Sequence, residues 1–399
     1  MKLRRRVGRA AVASNELTAR WASLPGDDDV VISGAGCWLL LALLASGASG
    51  PARSELEAAV DMSGTESQVA ALGLFDDVRK SAAVKVALGI WSRVVLDPDW
   101  RDALPPGVAG HLTGDTNTDQ GAVDRWAREA TSGEIDRFPI TLGRDMALVL
   151  ASAITMRTDW QSAFAAGEAT LADGPWAGHH ITRLSESTNA TSRLRLGGEN
   201  GRAVTILTVP GRDHIDVCLL LGTEGASRAD VLAAGIHSLP SAPAVSAGTA
   251  DSAPGVACRK VIGTQRNDRL ECEVPAFELS ASHDLLDHAD LFGLSAAQDP
   301  TVDHFPGLAA EPLAVSQARQ EALARFSATG FVASAVSAVA MRPTGAPPRR
   351  PPKSFEVTVY SVRFTRPFGF VAVHRPTSLV LMAGWIAQPP RAPSQDKSE

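Results

Sequence analysis

Cysteine is scarce in this sequence, and no two cysteines are closely spaced. The four that occur, Cys37, Cys218, Cys258 and Cys272, are spread over 399 residues and form no C-x-x-C motif. Zinc sites and disulfide frameworks both need paired or regularly spaced cysteines, so neither is indicated. An unpaired cysteine behaves as a small apolar side chain, and we therefore expect buried free thiols.

The sequence also lacks a long apolar segment and a surplus of positive charge. Its longest apolar stretch, residues 37–45, is much shorter than the roughly 20 residues that a membrane helix needs. The basic residues 2–6 precede a segment, 7–20, that is too polar and alanine-rich for a signal peptide, which favours the cytoplasm. A net charge of −6 argues against nucleic-acid binding, because phosphate recognition needs clustered Lys and Arg. We expect neither a membrane nor a nucleic acid as partner.

Motifs for catalysis or cofactor binding are missing as well. There is no Walker loop, no G-x-S-x-G elbow and no H-E-x-x-H sequence. Residues 34–36 begin like a dinucleotide-binding loop but lack its third glycine, and the pair His179-His180 has no third metal ligand at a useful spacing. We expect a protein that is not an enzyme and that holds no cofactor or metal.

The remaining composition, 45% apolar and 21% charged residues, is typical of a globular chain with a large core. Helical periodicity occurs mainly before residue 160, whereas period-2 and β-branched segments dominate afterwards, so an α+β fold is predicted. The predicted helices cover residues 38–44, 51–60 and 118–135. The predicted strands cover residues 30–32, 84–95, 146–156, 204–209, 215–221, 270–279, 357–364, 368–373 and 379–386.

Six short stretches in these segments follow one another in a recognisable order. They are Val31-Ile32-Ser33 with residues 42–48 and Glu55-Leu56; residues 123–126 with 129–131, Gly133 and Ile135; residues 148–154 with Trp160 and Phe164; residues 274–277 with Ser282, Asp284 and Leu285; residues 291–294 with Phe305, Gly307, Leu313, Val315 and Ser316; and Phe364 with residues 366–368, 376–377, Met382, Gly384 and Pro389. Each stretch alone is weak. The ordered set, which spans most of residues 15–390, resembles the serpin family of serine protease inhibitors.

The resemblance implies the serpin fold, in which helices clustered toward the N-terminal half surround a large mixed sheet, two smaller sheets and an exposed reactive loop. We expect a basic N-terminal tail over residues 1–14, one domain over 15–390 with its reactive loop at 328–352, and a polar tail over 391–399. The implied function is inhibition of a serine protease, with a cysteine protease as the alternative, by a monomer. A protease cleaves the loop, whose N-terminal arm then inserts into the large sheet and traps the acylated enzyme. The resemblance leaves an extracellular location open.

The N-terminal arm of the implied loop is rich in small residues. Gly330 occupies the position of the family's hinge glycine, and it is followed by Ala333, Ser334 and Ala335. Small side chains suit a segment that must enter a closed sheet quickly. This composition favours insertion.

Two residues of the hinge depart from the inhibitory pattern. Phe331 stands where inhibitory members favour Thr or Ser, and Val332 replaces the usual acidic residue. A Phe whose side chain points into the core must find a pocket or slow insertion, because overpacking costs about 1–3 kcal/mol. These departures favour the alternative of a non-inhibitory serpin that binds a partner or is cut as a protease substrate.

The resemblance also indicates which residues control opening of the large sheet and where the loop is cut. The sheet-opening core comprises Ser33, Ser152, Trp160 and Gln320, with Ser152 where the family usually has Asn and Gln320 where it usually has His. Gln320 retains the ability to donate and accept hydrogen bonds. The candidates for the scissile region are Arg342, Thr344, Gly345, Arg349 and Arg350.

Overall fold

The computed structural model describes residues 2–131, 133, 137, 141–144, 146–198, 201–331 and 354–390. Its helices are α1 Lys2–Ala22, α2 Gly34–Ala45, α3 Gly50–Val60, α4 Gly64–Val78, α5 Pro98–Asp102, α6 Thr116–Thr131, α7 Arg228–Ser238 and α8 Ala289–Phe292. Its strands are β1 Val30–Ile32, β2 Val84–Ser92, β3 Ala109–His111, β4 Leu148–Met156, β5 Thr158–Asp159, β6 Ala165–Thr170, β7 His180–Thr188, β8 Leu194–Gly197, β9 Val204–Pro210, β10 Ile215–Gly222, β11 Val256–Gly263, β12 Arg269–Pro275, β13 Phe277–Asp284, β14 Val315–Phe326, β15 Gly330–Phe331, β16 Phe355–Arg363, β17 Phe368–His374 and β18 Leu379–Ile386.

The N-terminal segment is helical, so the prediction of a tail over residues 1–14 is wrong for the part that the structure describes. Helix α1 begins at Lys2 and buries the apolar residues Val7, Ala10 and Leu17 on one face. Ala10 follows Val7 by three residues and Leu17 follows Ala10 by seven, spacings that place all three on one face of an amphipathic helix. The Asn15 amide also donates to the carbonyl oxygen of Ser378 (2.9 Å) and accepts from the Val380 backbone N–H (2.7 Å), which ties the helix to β18. Residues 391–399 lie outside the described residues.

The described strands form three sheets, as the resemblance implies. The six-stranded sheet has the order β1-β18-β17-β10-β9-β8, and the five-stranded sheet has the order β11-β16-β12-β7-β6. The large sheet has the order β3-β2-β4-β14-β15-β5, with β13 paired to the other edge of β14. The strand predicted over residues 270–279 is divided between β12 and β13, because the chain leaves the five-stranded sheet after Pro275 and joins the large sheet at Phe277.

Helix α2 lies between the six-stranded sheet and the large sheet. All twelve of its residues are buried, and it contacts β18 on one side and β4 on the other. A helix that is apolar on every side belongs in a core. Its N-cap is Ser33, whose hydroxyl accepts a hydrogen bond from the Gly36 backbone N–H (3.4 Å). The start of this helix therefore lies directly behind the centre of the large sheet.

Candidate functional site: the centre and the hinge of the large sheet

At the centre of the large sheet, the side chain of Gln320 is bound to the backbone of Ser33. The Gln320 amide oxygen accepts from the Ser33 backbone N–H (2.7 Å), and its amide nitrogen donates to the Ser33 carbonyl oxygen (2.6 Å). The Ser33 hydroxyl in turn donates to the carbonyl oxygen of Leu381 in β18 (2.6 Å). Both residues are buried. A strand of the large sheet is thus connected through one residue to the six-stranded sheet.

Two further side chains face the same amide nitrogen. Cys37 Sγ lies 3.0 Å and Ser152 Oγ 3.5 Å from Gln320 Nε2. Burial raises the pKa of the Cys37 thiol, against the smaller effect of its hydrogen bond with Ser152, so Cys37 is a neutral thiol here. The structure brings together three of the four predicted sheet-opening residues, Ser33, Ser152 and Gln320. Cys37 was predicted only as a buried thiol.

His283, which the sequence reasoning missed, forms a second link to β1. It lies opposite Gln320 in the β13–β14 pairing, and its Nε2 is 2.8 Å from the carbonyl oxygen of Val31. Burial lowers the pKa of His283, and this effect exceeds that of the hydrogen bond to Val31, which raises it. Strand alternation could have indicated this role, because every second residue of β13 from Phe277 onward faces inward, and His283 is one of them.

Trp160 lies at the hinge of the predicted loop instead of at the Gln320 cluster. Its indole N–H donates to the carbonyl oxygen of Ser327 (2.8 Å), and its backbone N–H donates to that of Thr329 (2.9 Å). Within this segment, the Ser327 backbone N–H donates to the carbonyl oxygen of Gly330 (2.9 Å). A tight turn therefore joins the end of β14 to β15, and Trp160 holds it.

Gly330 and Phe331 form a two-residue strand between the long strand β14 and the equally short strand β5. Phe331 pairs with Phe326 of β14 on one side and with Thr158 of β5 on the other. A Cβ atom at Gly330 would lie 2.4 Å from the Thr158 carbonyl oxygen, so only glycine fits beside β5 without displacement. The first two residues of the arm are thus already part of the large sheet.

The Phe331 side chain lies in a core pocket. It is fully buried, and its ring centroid is 5.8 Å from that of Phe370 in the six-stranded sheet. The sequence argument required such a side chain to find a pocket or to slow insertion, and the structure provides the pocket. Val332, Ala333, Ser334, Ala335 and all five candidates for the scissile region lie outside the described residues.

The large sheet opens toward the hinge. Strands β14 and β4 are paired directly and in parallel from Val315 opposite Leu148 to Glu321 opposite Ala153. Further along, β15 lies between Phe326 and Thr158. Because neighbouring strands are about 4.8 Å apart, the two flanking strands separate to about 10 Å at this end. The gap between them lies where an inserting strand would begin.

Comparison with known proteins agrees with this architecture. Residues 12–175 and 252–389 match the family model described as serpin (serine protease inhibitor). A comparison with curated protein sequences gives no match. Among the described residues, no helix has the length and apolar content needed to cross a membrane.

Solved serpins have the same fold at low sequence identity. The thermophilic serpin tengpin in its native state is 17% identical, with a TM-score of 0.71 over 96% of this chain and 94% of its own. Native protease nexin-1 with heparin is 18% identical, with a TM-score of 0.69 over 97% and 100%. Human thyroxine-binding globulin complexed with thyroxine is 15% identical, with a TM-score of 0.70 over 98% and 100%. With most of its length matched by the family model and its three sheets arranged as in these structures, the chain belongs to the serpin family.

Proposed function

We propose that this protein is a serine endopeptidase inhibitor that traps its target covalently after cleavage of the reactive loop. The observation that carries the proposal is the position of β15. The arm begins inside the large sheet, between β14 and β5, and its bulky second residue already occupies a core pocket. The remaining arm, up to about Thr344, then has a path that continues between β14 and β4.

Insertion along this path exchanges one strand pairing for two. The parallel pairing of β14 with β4 breaks, and the arm, which runs antiparallel to both, pairs with each of them. Antiparallel pairing is slightly more stable per residue than parallel pairing, and the arm gains a full set of backbone hydrogen bonds. The exchange therefore favours the inserted state.

The small residues of the arm suit the inner face of this path. Side chains alternate along a strand, so in an inserted arm Ala333 and Ala335 would point to the same side as Phe331, toward helix α2. That helix is close behind the sheet, because a Cβ atom at Gly36 would lie 3.0 Å from Ser152 Oγ. Space on this face therefore favours alanine over larger side chains.

The covalent step uses the chemistry of the target enzyme. Its serine hydroxyl attacks the carbonyl carbon of the scissile residue, the peptide bond breaks, and the new amine leaves with a proton, so that the arm is held as an ester. Insertion moves the ester before water hydrolyses it. The candidate residues for this region are Arg342, Thr344, Gly345, Arg349 and Arg350, and an arginine at the scissile position would fit a trypsin-like enzyme with an aspartate in its specificity pocket.

A gel assay with two matched variants tests the proposal. We would incubate the 41.8 kDa protein with trypsin-like, chymotrypsin-like and subtilisin-like proteases and expect an SDS-stable band at the summed mass with at least one. Ala335→Glu places a charge on the inner face and should abolish the band while permitting cleavage. Ser334→Glu places the same charge on the outer face and should still give the SDS-stable band.

Cleavage without a stable band for every protease would contradict trapping and support the non-inhibitory alternative, in which the loop is a substrate. Melting before and after cleavage supplies a second measurement. Insertion should raise the melting temperature of the wild type and of Ser334→Glu, but not that of Ala335→Glu. An unchanged temperature after cleavage of the wild type would contradict insertion itself.

A further inference from the structure

A cavity of about 950 Å³ lies where helices α1 and α4 meet two turns of the six-stranded sheet. Val7 of α1 lines one side of it, and the last turns of α4 line another. The β9–β10 turn contributes His214, and the β17–β18 connection contributes His374 and Thr377. Ligand pockets in proteins commonly have volumes of about 300–1,000 Å³, so this cavity is large enough for a small organic molecule. None of its described lining residues belongs to the hinge or to the Gln320 cluster.

The buried side chain of His374 offers this cavity a hydrogen-bond acceptor. His374 is 3% exposed, and its Nδ1 lies 2.8 Å from Thr377 Oγ1. The Thr377 hydroxyl donates its one proton to the His374 carbonyl oxygen (3.5 Å), so its oxygen accepts from Nδ1–H, as it also accepts from the Leu379 backbone N–H (3.4 Å). With the proton on Nδ1, Nε2 carries a lone pair, and Nε2 has no hydrogen-bond partner among the described residues. Burial and, to a smaller extent, His214 lower the pKa of His374, so the ring is neutral at pH 7 and the lone pair is available.

Two carboxylates of α4 line the same cavity and make it acidic. Asp77 accepts from the Lys80 ammonium at Oδ1 (2.6 Å), and Asp76 lies 4.0 Å from the Arg79 guanidinium. Lys80 is the one cation among the described lining residues, so the carboxylates outnumber it. Carboxylate oxygens and the Nε2 lone pair of a neutral imidazole all accept hydrogen bonds. The complementary ligand therefore carries N–H donors and a positive charge.

We propose that this cavity binds an organic ammonium ion, whose N–H donors reach Asp77 and His374 and whose alkyl chain packs against Val7 and Pro376. The side chains of Val7 and Pro376 consist of carbon alone, and both line the cavity. They provide an apolar surface beside the acceptors, which an alkylamine matches and an inorganic cation does not. The inference does not depend on protease inhibition, since it rests on a part of the molecule away from the reactive loop.

The β9–β10 turn, which contributes His214 to the cavity, also holds β5 of the large sheet. The Arg212 backbone N–H donates to the Asp159 carbonyl oxygen (2.8 Å). The Asp213 carbonyl oxygen accepts from the hydroxyl of Ser81, which follows α4 (3.0 Å). Asp213 and His214 have φ angles of 51° and 67°, a backbone region that such residues adopt uncommonly. A ligand that fills the cavity restrains this turn, so we expect the Arg212 amide hydrogen to exchange more slowly in the complex.

The test measures binding of cadaverine, a linear alkyl diamine, to the full chain by isothermal titration calorimetry at pH 7.5. Pentanediol has the same chain length without charge, and glutarate carries two negative charges, so we expect saturable binding of cadaverine alone. Asp77→Asn should weaken binding about tenfold, because a charge-assisted hydrogen bond becomes a neutral one. Lys80→Gln should strengthen binding, because it removes the cation that competes for Asp77. His374→Phe keeps a ring of similar size but lacks Nε2, and it should also weaken binding.

A matched pair of variants reports unspecific attraction of the diamine to a chain with a net charge of −6. Lys260 and Glu356 form an ammonium–carboxylate pair of nearly the same length, 2.7 Å, in the five-stranded sheet. Glu356→Gln and Lys260→Gln change the charge as Asp77→Asn and Lys80→Gln do, and both should bind cadaverine as the wild type does. Hydrogen exchange at Arg212 should slow with cadaverine in the wild type and in both of these controls, but much less in Asp77→Asn at the same concentration.

Three results would overturn the assignment. They are no binding of cadaverine, equal binding of pentanediol, and equal affinities of Asp77→Asn and Glu356→Gln. Binding of glutarate that Lys80→Gln weakens would also overturn it, since the cavity would then be an anion site. If His374→Phe does not fold, the two α4 variants decide the question, because the side chains of Asp77 and Lys80 are 37% and 72% exposed and their replacement leaves the core intact.

Discussion

Replacing Gln320 by glutamate should make the stability of this protein depend on pH in a way that the wild type does not. Glutamate has nearly the same shape, and its protonated carboxyl can make both bonds that Gln320 makes, accepting from the Ser33 N–H and donating to the Ser33 carbonyl oxygen. Its ionised form cannot donate. A negative charge would then face a carbonyl oxygen in a fully buried site, which is strongly unfavourable.

The magnitude follows from linkage. In the unfolded chain the new carboxyl ionises near pH 4.3, whereas burial raises its pKa in the folded state by about 3 to 5 units. A raised folded-state pKa means that stability is present at low pH and is lost as pH rises. The loss is about 1.4 kcal/mol per pH unit, or about 4 kcal/mol between pH 4.3 and pH 7. At about 2.1 cal/mol/K per residue over 399 residues, this lowers the melting temperature by roughly 5 °C.

The assay is thermal melting by circular dichroism at a fixed scan rate, from pH 4.5 to pH 7.5, for wild type, Gln320→Glu and Gln320→Leu. The leucine variant leaves the Ser33 N–H unpaired at every pH, so we expect a constant deficit of about 1–3 kcal/mol. The glutamate variant should approach wild type at pH 4.5 and separate from it as pH rises. A constant difference between Gln320→Glu and wild type over this range would refute the assignment of the Gln320 amide to both backbone groups of Ser33.

Three further predictions concern other buried groups. Phe331→Ala should lower the free energy of unfolding by about 3–5 kcal/mol in urea titrations. It should leave the rise in melting temperature on loop cleavage unchanged, because the Phe331 side chain is already in its pocket before cleavage. A smaller or larger rise in melting temperature than in the wild type would contradict this. The pKa of His283 is lowered in the folded state, so as the pH drops below about 6.5 the unfolded chain takes up a proton at this residue before the folded chain does, and the free energy of unfolding should fall. His283→Gln should reduce the dependence of the free energy of unfolding on pH in urea titrations. An identical dependence in the variant would exclude His283 as its source. Cys258 alone should react with Ellman's reagent in the native protein, because the other three thiols are buried and burial raises the pKa of Cys272 to about 12. All four thiols should react after denaturation. A second reactive thiol in the native protein would contradict this prediction.

Much of the site could be predicted from the sequence because its residues belong to recognisable local patterns. Ser33 follows a β-branched strand and precedes an apolar segment long enough to be a helix, and the structure places it at that junction as the helix cap. Gly330 was assigned to the hinge from the resemblance to serpins, and a Cβ atom at this position would lie 2.4 Å from the Thr158 carbonyl oxygen. The position of Ser33 depends on short-range order, which the linear chain contains, whereas the hinge assignment depends on the ordered stretches that resemble the serpin family.

Other parts could not be predicted because distant segments decide them. His283 and Gln320 face each other only through the pairing of β13 with β14, and Val31, the partner of His283, is 252 residues away in the chain. Whether the core could accommodate the Phe331 side chain likewise depended on a pocket beside Phe370, which lies in a different sheet.

By itself, the sequence determined the alternation of apolar and polar residues that sets which segments become helices and strands. It also determined the small-residue composition of the proposed reactive arm, because both are properties of neighbouring residues. Only the tertiary structure decided that Phe331 is accommodated and that β16 lies between β11 and β12. Packing and strand order depend on contacts between residues far apart in the chain, and a pattern within one segment does not specify its partner.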